Sequence, residues 1–286
     1  MTIAEAFDTF RSKLELTDAE RKKTAARHPN VRQAIAKELD LIEDFLTGSY
    51  KRDTKIRPLS DIDLFVVLHW GKYSDIYYKN GDPSKILYRL KSILDKAYPE
   101  TPVKVQNRSV NLDFSDFGFD IVPAFRNETG FYWIPDRNKG AWIKSKPKHH
   151  ESILTIANNK CNLKLKPTIK MFKCWNRNNG EKLKSFHIEA MSLKIFKEGI
   201  DTSFQKGIRR FFDWADFYLD YPCYDPADGT NQIDDYLTST ERTDVKCKLR
   251  NAKNEADKAL IYEINGRDTE AVHIWRNLFG YPFPSI

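Results

Sequence analysis

The chain has 286 residues, with 47 Lys and Arg against 40 Asp and Glu and a net charge of +7. Hydrophobic residues make up 41% and charged residues 30%. That balance excludes a disordered, collagenous or coiled-coil chain and fits a globular enzyme of two lobes. No apolar run approaches the roughly 18 residues of a membrane span, and the acidic start MTIAEAFDTFRSKLEL lacks signal-peptide character. A cytoplasmic protein away from membranes is therefore expected.

Taken in chain order, residues 3–26 read as an amphipathic helix with Ile3, Phe7, Phe10, Leu14 and Leu16 among charges. His28-Pro29-Asn30 should break it, and a second helix should follow over about 31–43. The run FLTGSYKRDTKI turns at Gly48-Ser49. DIDLFVVLHW (61–70) reads as a buried strand with an acidic mouth. A polar loop over 71–83 leads to a helix at about 84–97. VKVQNR and SVNLDF alternate as strands, SDFG turns, and FDIVPAF is a strand stopped by Pro123. FYWIPD is one more strand candidate. From about 148 the pattern is helical, over 149–160, 164–178, 186–199, 203–220 and 246–263. This layout predicts an α+β fold with a mixed sheet and a helical lobe. The expected division is 1–145 and 146–286.

The charge is unevenly spread. Residues 137–184 hold 13 Lys and Arg against 2 acids, whereas 213–244 hold 9 acids against Arg242 alone. The first block suits a solvated face, a nucleic-acid groove or a polyphosphate pocket. The acidic block could face the basic one or dock a partner, and sequence offers no physical argument between these. The four cysteines, Cys161, Cys174, Cys223 and Cys247, have neither CxxC nor zinc spacing and read as reduced thiols. His149-His150 is an adjacent pair that a single metal ion rarely uses.

Chemistry gathers at Asp61 and Asp63. Strand period two sends both carboxylates to one side. Like charges held together at the mouth of a buried strand repel and call for a cation between them. Mg²⁺ takes carboxylate and phosphate oxygens. Asp120, flanked by apolar residues in Gly118-Phe119-Asp120-Ile121-Val122, suits a third ligand of a two-metal site. Asp113 and Asp116 are rivals nearer the SDFG turn. Gly48-Ser49, 12 residues before Asp61, allows close backbone approach to a phosphate and offers N–H and hydroxyl donors.

Gly48-Ser49-Tyr50, Thr54, Asp61-Ile62-Asp63 and Phe119-Asp120-Ile121-Val122-Pro123-Ala124 together resemble the DNA-polymerase-β-type nucleotidyltransferase superfamily. Further residues narrow the resemblance to the cGAS/DncV-like nucleotidyltransferases (CD-NTase, SMODS family), which make cyclic di- or trinucleotide signals in anti-phage (CBASS) defence. These are Trp142-Ile143-Lys144, Pro147, the helix Pro167 to Arg177, Ser185-Phe186-His187-Ile188-Glu189, and Asp225-Pro226 with Asn231. The resemblance implies a polymerase-β-like core plus a C-terminal helical lobe with the active site in the cleft between them. It implies two Mg²⁺, with Mn²⁺ as a substitute, on Asp61, Asp63 and Asp120. Gly48 and Ser49 would hold the β- and γ-phosphates of a donor NTP. Lys173, with Lys170 as a second candidate, would reach the triphosphate. Ser185 would hydrogen-bond a phosphate, and Phe186 would stack on the donor base. Substrates would be ATP, GTP, UTP or CTP, and a regulatory partner from a defence operon is a further candidate. The zinc insertion of animal cyclic GMP-AMP synthases is missing, so nucleic acid is not required.

The basic block then reads first as a nucleotide pocket, with Lys170 and Lys173 supplying counter-charge to a triphosphate. Asn158, Asn159, Asn162, Asn176, Asn178 and Asn179 are candidates for reading a base edge. Two other functions stay open. A terminal nucleotidyltransferase acting on RNA, a protein or a small molecule keeps the fold and changes the acceptor. A non-catalytic nucleic-acid-binding module would use the basic block alone, although three carboxylates repel a phosphate backbone.

Overall fold

A computed structural model of the chain describes residues 1–73, 76 and 82–285. Residues 74, 75 and 77–81 of the expected polar loop lie outside the described residues. The chain divides into two units, each with its own core.

The sheet unit comprises 16–52 and 58–149. Its first element, α2 (Asp18–Ala36), follows α1 (Ile3–Leu14) after a break at 15–17, not at 28–30. Glu15 caps the first helix and Thr17 starts the second. Thr17 accepts the Glu20 N–H, and Glu20 returns a bond to the Thr17 backbone. That reciprocal cap outweighs Pro29, which sits inside α2. The expected second helix to residue 43 is also corrected, because Leu41–Leu46 is a strand, β1. Leu39 and Ile42 share helical spacing, but antiparallel pairing with β2 (Ile62–Leu68) decides the conformation.

The remaining elements of this unit are a short α3 (Gly48–Lys51), α4 (Ser84–Ala97), β3 (Val103–Val105), β4 (Val110–Asp113), β5 (Gly118–Arg126), β6 (Tyr132–Asp136) and β7 (Ala141–Ser145). Strand order is β1-β2-β5-β4-β3, with β6 on β5 and β7 on β6. Only β2 and β5 run parallel among the described strands. The predicted strand stop at Pro123 fails. The β4 pairing ends at Ile121 and the β6 pairing starts at Phe125. Pro123 therefore falls where that edge of β5 has no paired neighbour, a position proline tolerates.

β2 is buried on both faces, which explains its unbroken apolar run. Ile62, Leu64, Val66 and Leu68 join the larger core with Phe119, Ile121, Leu90 and Leu94. Phe65 and Val67 join a smaller core with Val122, Ala124, Tyr132 and Ile134.

The helical unit comprises 1–15, 53–57 and 150–286. It therefore includes α1 and a five-residue strap that the expected division at 145/146 assigned to the catalytic core. The reason is apolar. Ile3, Phe7, Phe10 and Leu14 line one face of α1 and share a core with Trp275, Phe279 and Phe283. The other helices are α5 (Pro147–Lys160), α6 (Leu165–Asn178), α7 (Ser185–Ile195), α8 (Phe204–Tyr218), α9 (Ser239–Ile264) and α10 (Asp268–Phe279). α9 starts earlier than the expected 246 because Thr238 and Glu241 form a capping box. α10 was not anticipated. No described helix is long and apolar enough to cross a membrane.

Candidate active site

The carboxylates are placed by sheet register. Parallel pairing sets Asp63 beside Asp120, Phe65 beside Val122 and Val67 beside Ala124. Period two then puts both acids on the face of the smaller core, one step beyond its apolar contacts. Asp61 lies one residue before β2 and is exposed.

A residue not singled out from the sequence ties the group together. Asn111 of β4 pairs directly with Asp120. It is 8% exposed, and its Nδ2 donates to Asp61 Oδ1 at 3.1 Å and to Asp120 Oδ1 at 3.0 Å. One amide thus bridges two carboxylates that repel each other. The signal was present: Asn111 is a polar residue alternating with Val110 and Leu112. Its register against Asp120 was not visible.

Two glycines make room for the acids. Gly48 has φ +66°, and a Cβ there would lie 1.6 Å from Asp63 Oδ2. Glycine is required both by conformation and by contact. The Thr47 N–H donates to the Asp63 carbonyl at 2.8 Å, fixing the Gly48-Ser49 turn to the mouth of β2. A Cβ on Gly118 would lie 2.9 Å from Asp61 Oδ1. The rival Asp116 has another task. Arg27 and Lys23 bind its carboxylate and hold it well below the usual carboxylate range. Asp113 is an exposed residue at the end of β4.

Among the described residues, no three His, Cys, Asp or Glu side chains gather closely enough to hold a metal ion by themselves. The donor chemistry still fits a hard cation. The candidate ligands are carboxylate oxygens on neighbouring strands, two of them reached by one amide nitrogen, and Mg²⁺ regularly completes such partial sets with substrate phosphates and water.

In the helical unit, α6 carries Lys170 and Lys173 with their ammonium groups turned inward. Lys173 is 5% exposed and Glu189 2%. Lys173 Nζ donates to Glu189 Oε1 at 2.7 Å, to the Thr54 carbonyl at 3.0 Å and to Thr54 Oγ1 at 3.1 Å. Thr54 Oγ1 itself donates to Glu189 at 2.6 Å. Lys170 is 1% exposed and bonds Glu15 at 2.5 Å and Asp53 at 3.1 Å. Lys170, expected as the second candidate for a phosphate contact, is here buried and paired within the unit. Its ammonium holds α1 and the strap 53–57 within the unit and presents no surface to a phosphate.

Ser185 opens α7 and is exposed, and Phe186 beside it is half-buried. The asparagines proposed as base readers are largely committed to backbone groups. Asn158 accepts the Lys166 N–H, Asn176 binds both N–H and carbonyl of Leu183, Asn178 binds the Phe279 carbonyl, and Asn179 the Trp175 carbonyl. The acidic block pairs locally: Asp213 with Arg209, Asp216 with Arg250, Asp220 with Lys246, Asp234 with Arg242 and Asp244 with Lys248. All four cysteines are free thiols, and burial raises Cys174 and Cys223 to about 11.

A family model described as the Second Messenger Oligonucleotide or Dinucleotide Synthetase (SMODS) domain matches residues 1–158. This chain belongs to the SMODS family. The SMODS chain is a nucleotidyltransferase, a synthase of cyclic oligonucleotides. It is 29% identical over 272 residues to a probable cyclic nucleotide synthase of Bacillus cereus, covering 83% of this chain and 81% of that one. It is 26% identical over 313 residues to a cyclic AMP-AMP-AMP synthase of Acinetobacter, covering 99% and 86%. Its fold is similar to that of Escherichia coli CdnC in a complex with HORMA-deltaN, at TM-score 0.80 and 18% identity over 99% of this chain and 98% of that one. The Vibrio cholerae cyclic AMP-GMP synthase DncV gives TM-score 0.77 and 13% identity over 99% and 97%. The polymerase-β-like core expected for the SMODS chain is thus its fold, and synthetases of this kind are generally metal-dependent.

Proposed function

We propose that this synthase joins nucleoside triphosphates into a cyclic di- or trinucleotide, using Asp61, Asp63 and Asp120 as ligands for two Mg²⁺, with Mn²⁺ as a substitute. The observation that carries the reading is the alignment of Asp63 with Asp120 and the Asn111 bridge from Asp120 to Asp61. When bound, the metal ions supply positive charge to the α-phosphoryl oxygens and acidify the attacking hydroxyl. The chain's own residues position and neutralise. Gly48 and Ser49 bind phosphate oxygens through backbone N–H and hydroxyl donors. Ser185 binds a phosphate oxygen, and Phe186 stacks on a base.

A ribose 2′ or 3′ oxygen attacks an α-phosphorus in line. The bond from that phosphorus to the bridging oxygen breaks, pyrophosphate leaves, and the hydroxyl proton passes to solvent. A second such attack within the linear product closes the ring. Catalysis of this kind is mostly positioning and charge stabilisation. Lys173 can contribute to a triphosphate only by exchanging part of its bond to Glu189 and Thr54. The relatives' names support a place in anti-phage signalling, and the CdnC complex with HORMA-deltaN supports a protein regulator as partner.

The test is incubation of the protein with Mg²⁺ and all four NTPs, followed by mass spectrometry of phosphatase-resistant products. Wild type should yield a cyclic product, and the double variant Asp61→Asn, Asp63→Asn should yield none. Synthesis that persists in the double variant removes these acids from the mechanism. Extension of an added RNA without a small product would mark a terminal transferase instead.

A further inference from the structure

The loop 223–236 of the helical unit is acidic, and nucleotidyl transfer by itself gives it no task. Its two ends hold the start of α7. Asp225, 8% exposed, places Oδ1 2.7 Å from His150 Nε2. A carboxylate accepts only, so His150 donates through Nε2. The His150 ring in turn packs against Phe186, with centroids 4.9 Å apart and planes at 62°. Asp225 is itself fixed. Its Oδ1 also accepts the Ala227 N–H at 2.8 Å, its N–H donates to the Asn231 carbonyl and its carbonyl accepts from Gly229.

At the other end, the Tyr236 hydroxyl accepts the Lys184 N–H at 2.8 Å and lies 3.0 Å from His187 Nδ1. The fully buried Asp234 anchors this end through Arg242 and the Cys223 N–H. Lys184 and His187 flank Ser185-Phe186 in the chain. The loop therefore grips that dipeptide from both sides, through a ring contact on one and hydrogen bonds on the other.

We propose that His150 and Asp225 are positioning residues for nucleotide binding, holding the Phe186 ring in its stacking orientation before a base arrives. The inference rests on the reading of Phe186 as the stacking residue. A half-buried phenylalanine at the first turn of a helix would otherwise sample several rotamers, and each bound base would have to order it. Packing by His150, oriented in turn by Asp225, supplies that order in advance. Asp225-Pro226 and Asn231 acquire a task as well, since they shape the loop that carries the brace.

The experiment measures KM and kcat for each NTP in turn, with the others saturating, in the full chain. Phe186→Ala should raise the KM of the stacked nucleotide about tenfold or more. His150→Ala should raise the same KM about fivefold and leave kcat within about twofold, a magnitude set by partial loss of stacking order. Asp225→Ala removes the acceptor that orients His150 and should raise the same KM by a similar factor, and Asp225→Asn, which keeps an amide oxygen as acceptor, should recover part of that rise. The double variant Phe186→Ala, His150→Ala should match Phe186→Ala alone. Were His150→Ala to lose its fold, His150→Phe, which keeps a ring but not the bond to Asp225, should show the KM rise instead. An unchanged KM in Phe186→Ala overturns the stacking reading. A raised KM there with no change in the folded His150 variant, or with effects that multiply in the double variant, overturns the brace and leaves the stacking reading standing.

Discussion

In the sheet unit, Asp63, Asp120 and Asn111 take their places from backbone pairing across three adjacent strands. In the helical unit, Lys173, His150 and Phe186 take theirs from side-chain contacts between separate segments: Thr54 and Glu189 to Lys173, Asp225 to His150, and the His150 ring to Phe186. A ladder spreads the task of alignment over many main-chain bonds that mutation does not remove. A side-chain network concentrates it in a few groups, each of which is costly to leave unpaired in a buried site. The carboxylate face should therefore fail mainly in chemistry when altered, and the helical network mainly in stability and binding.

The largest effect expected from that contrast is at Lys173. Lys173→Ala strands the buried Glu189 carboxylate and should cost about 3–5 kcal/mol of unfolding free energy, while Lys173→Met with Glu189→Met should recover most of it. Denaturant unfolding measures both, and a loss below about 1 kcal/mol in the single variant would break the comparison. Gly48→Ala should act on chemistry instead. The added Cβ has to displace Asp63 Oδ2, so kcat should fall about a hundredfold, with a smaller unfolding cost than at Lys173, about 1–2 kcal/mol from the positive φ.

A pH effect of about 2 kcal/mol belongs to the helical network. Burial lowers His187 from 6.5 to about 4, so the folded chain holds it neutral beside Tyr236. The unfolded chain binds the proton more readily. Stability from this group is complete above pH 6.5 and declines as pH falls towards 4, with about 2 kcal/mol lost between pH 7 and pH 5. His187→Phe should flatten that slope. Smallest, and on the ladder side, Asn111→Ala should raise the Mg²⁺ concentration needed for half-maximal rate about tenfold without moving the unfolding midpoint by more than a few degrees.

Legibility in the sequence follows the same line. The acidic pair on β2 and the acid on β5 were readable because period two and an apolar run mark a strand and its faces. Asn111 was not, because register between strands is a tertiary fact. Neither Thr54, 119 residues from Lys173, nor Glu189, 16 residues away on the next helix, could be matched to it, since helix packing brings them together. One local signal was outweighed by a weaker one, and another was misleading. Thr17-Asp18-Ala19-Glu20 spells a capping box that starts α2, but Pro29 looked like the stronger boundary. Leu39 and Ile42 imitate a helical repeat, although strand pairing sets β1 from 41 onward.

The membership of α1 in the helical unit bears on how that unit is held together. Phe10 packs 4.7 Å from Phe279 and 5.2 Å from Phe283, ring to ring. Helices far apart in the chain thus share one core. Strap 53–57 is likewise tied to α6 and α7, which supply Lys173 and Glu189. Loss of Phe279 and Phe283 would strip the apolar face of α1 of its aromatic partners and leave the strand pairing of the sheet unit in place. A protease cut before Phe279 would therefore unpack α1, in a unit that holds none of the three aspartates.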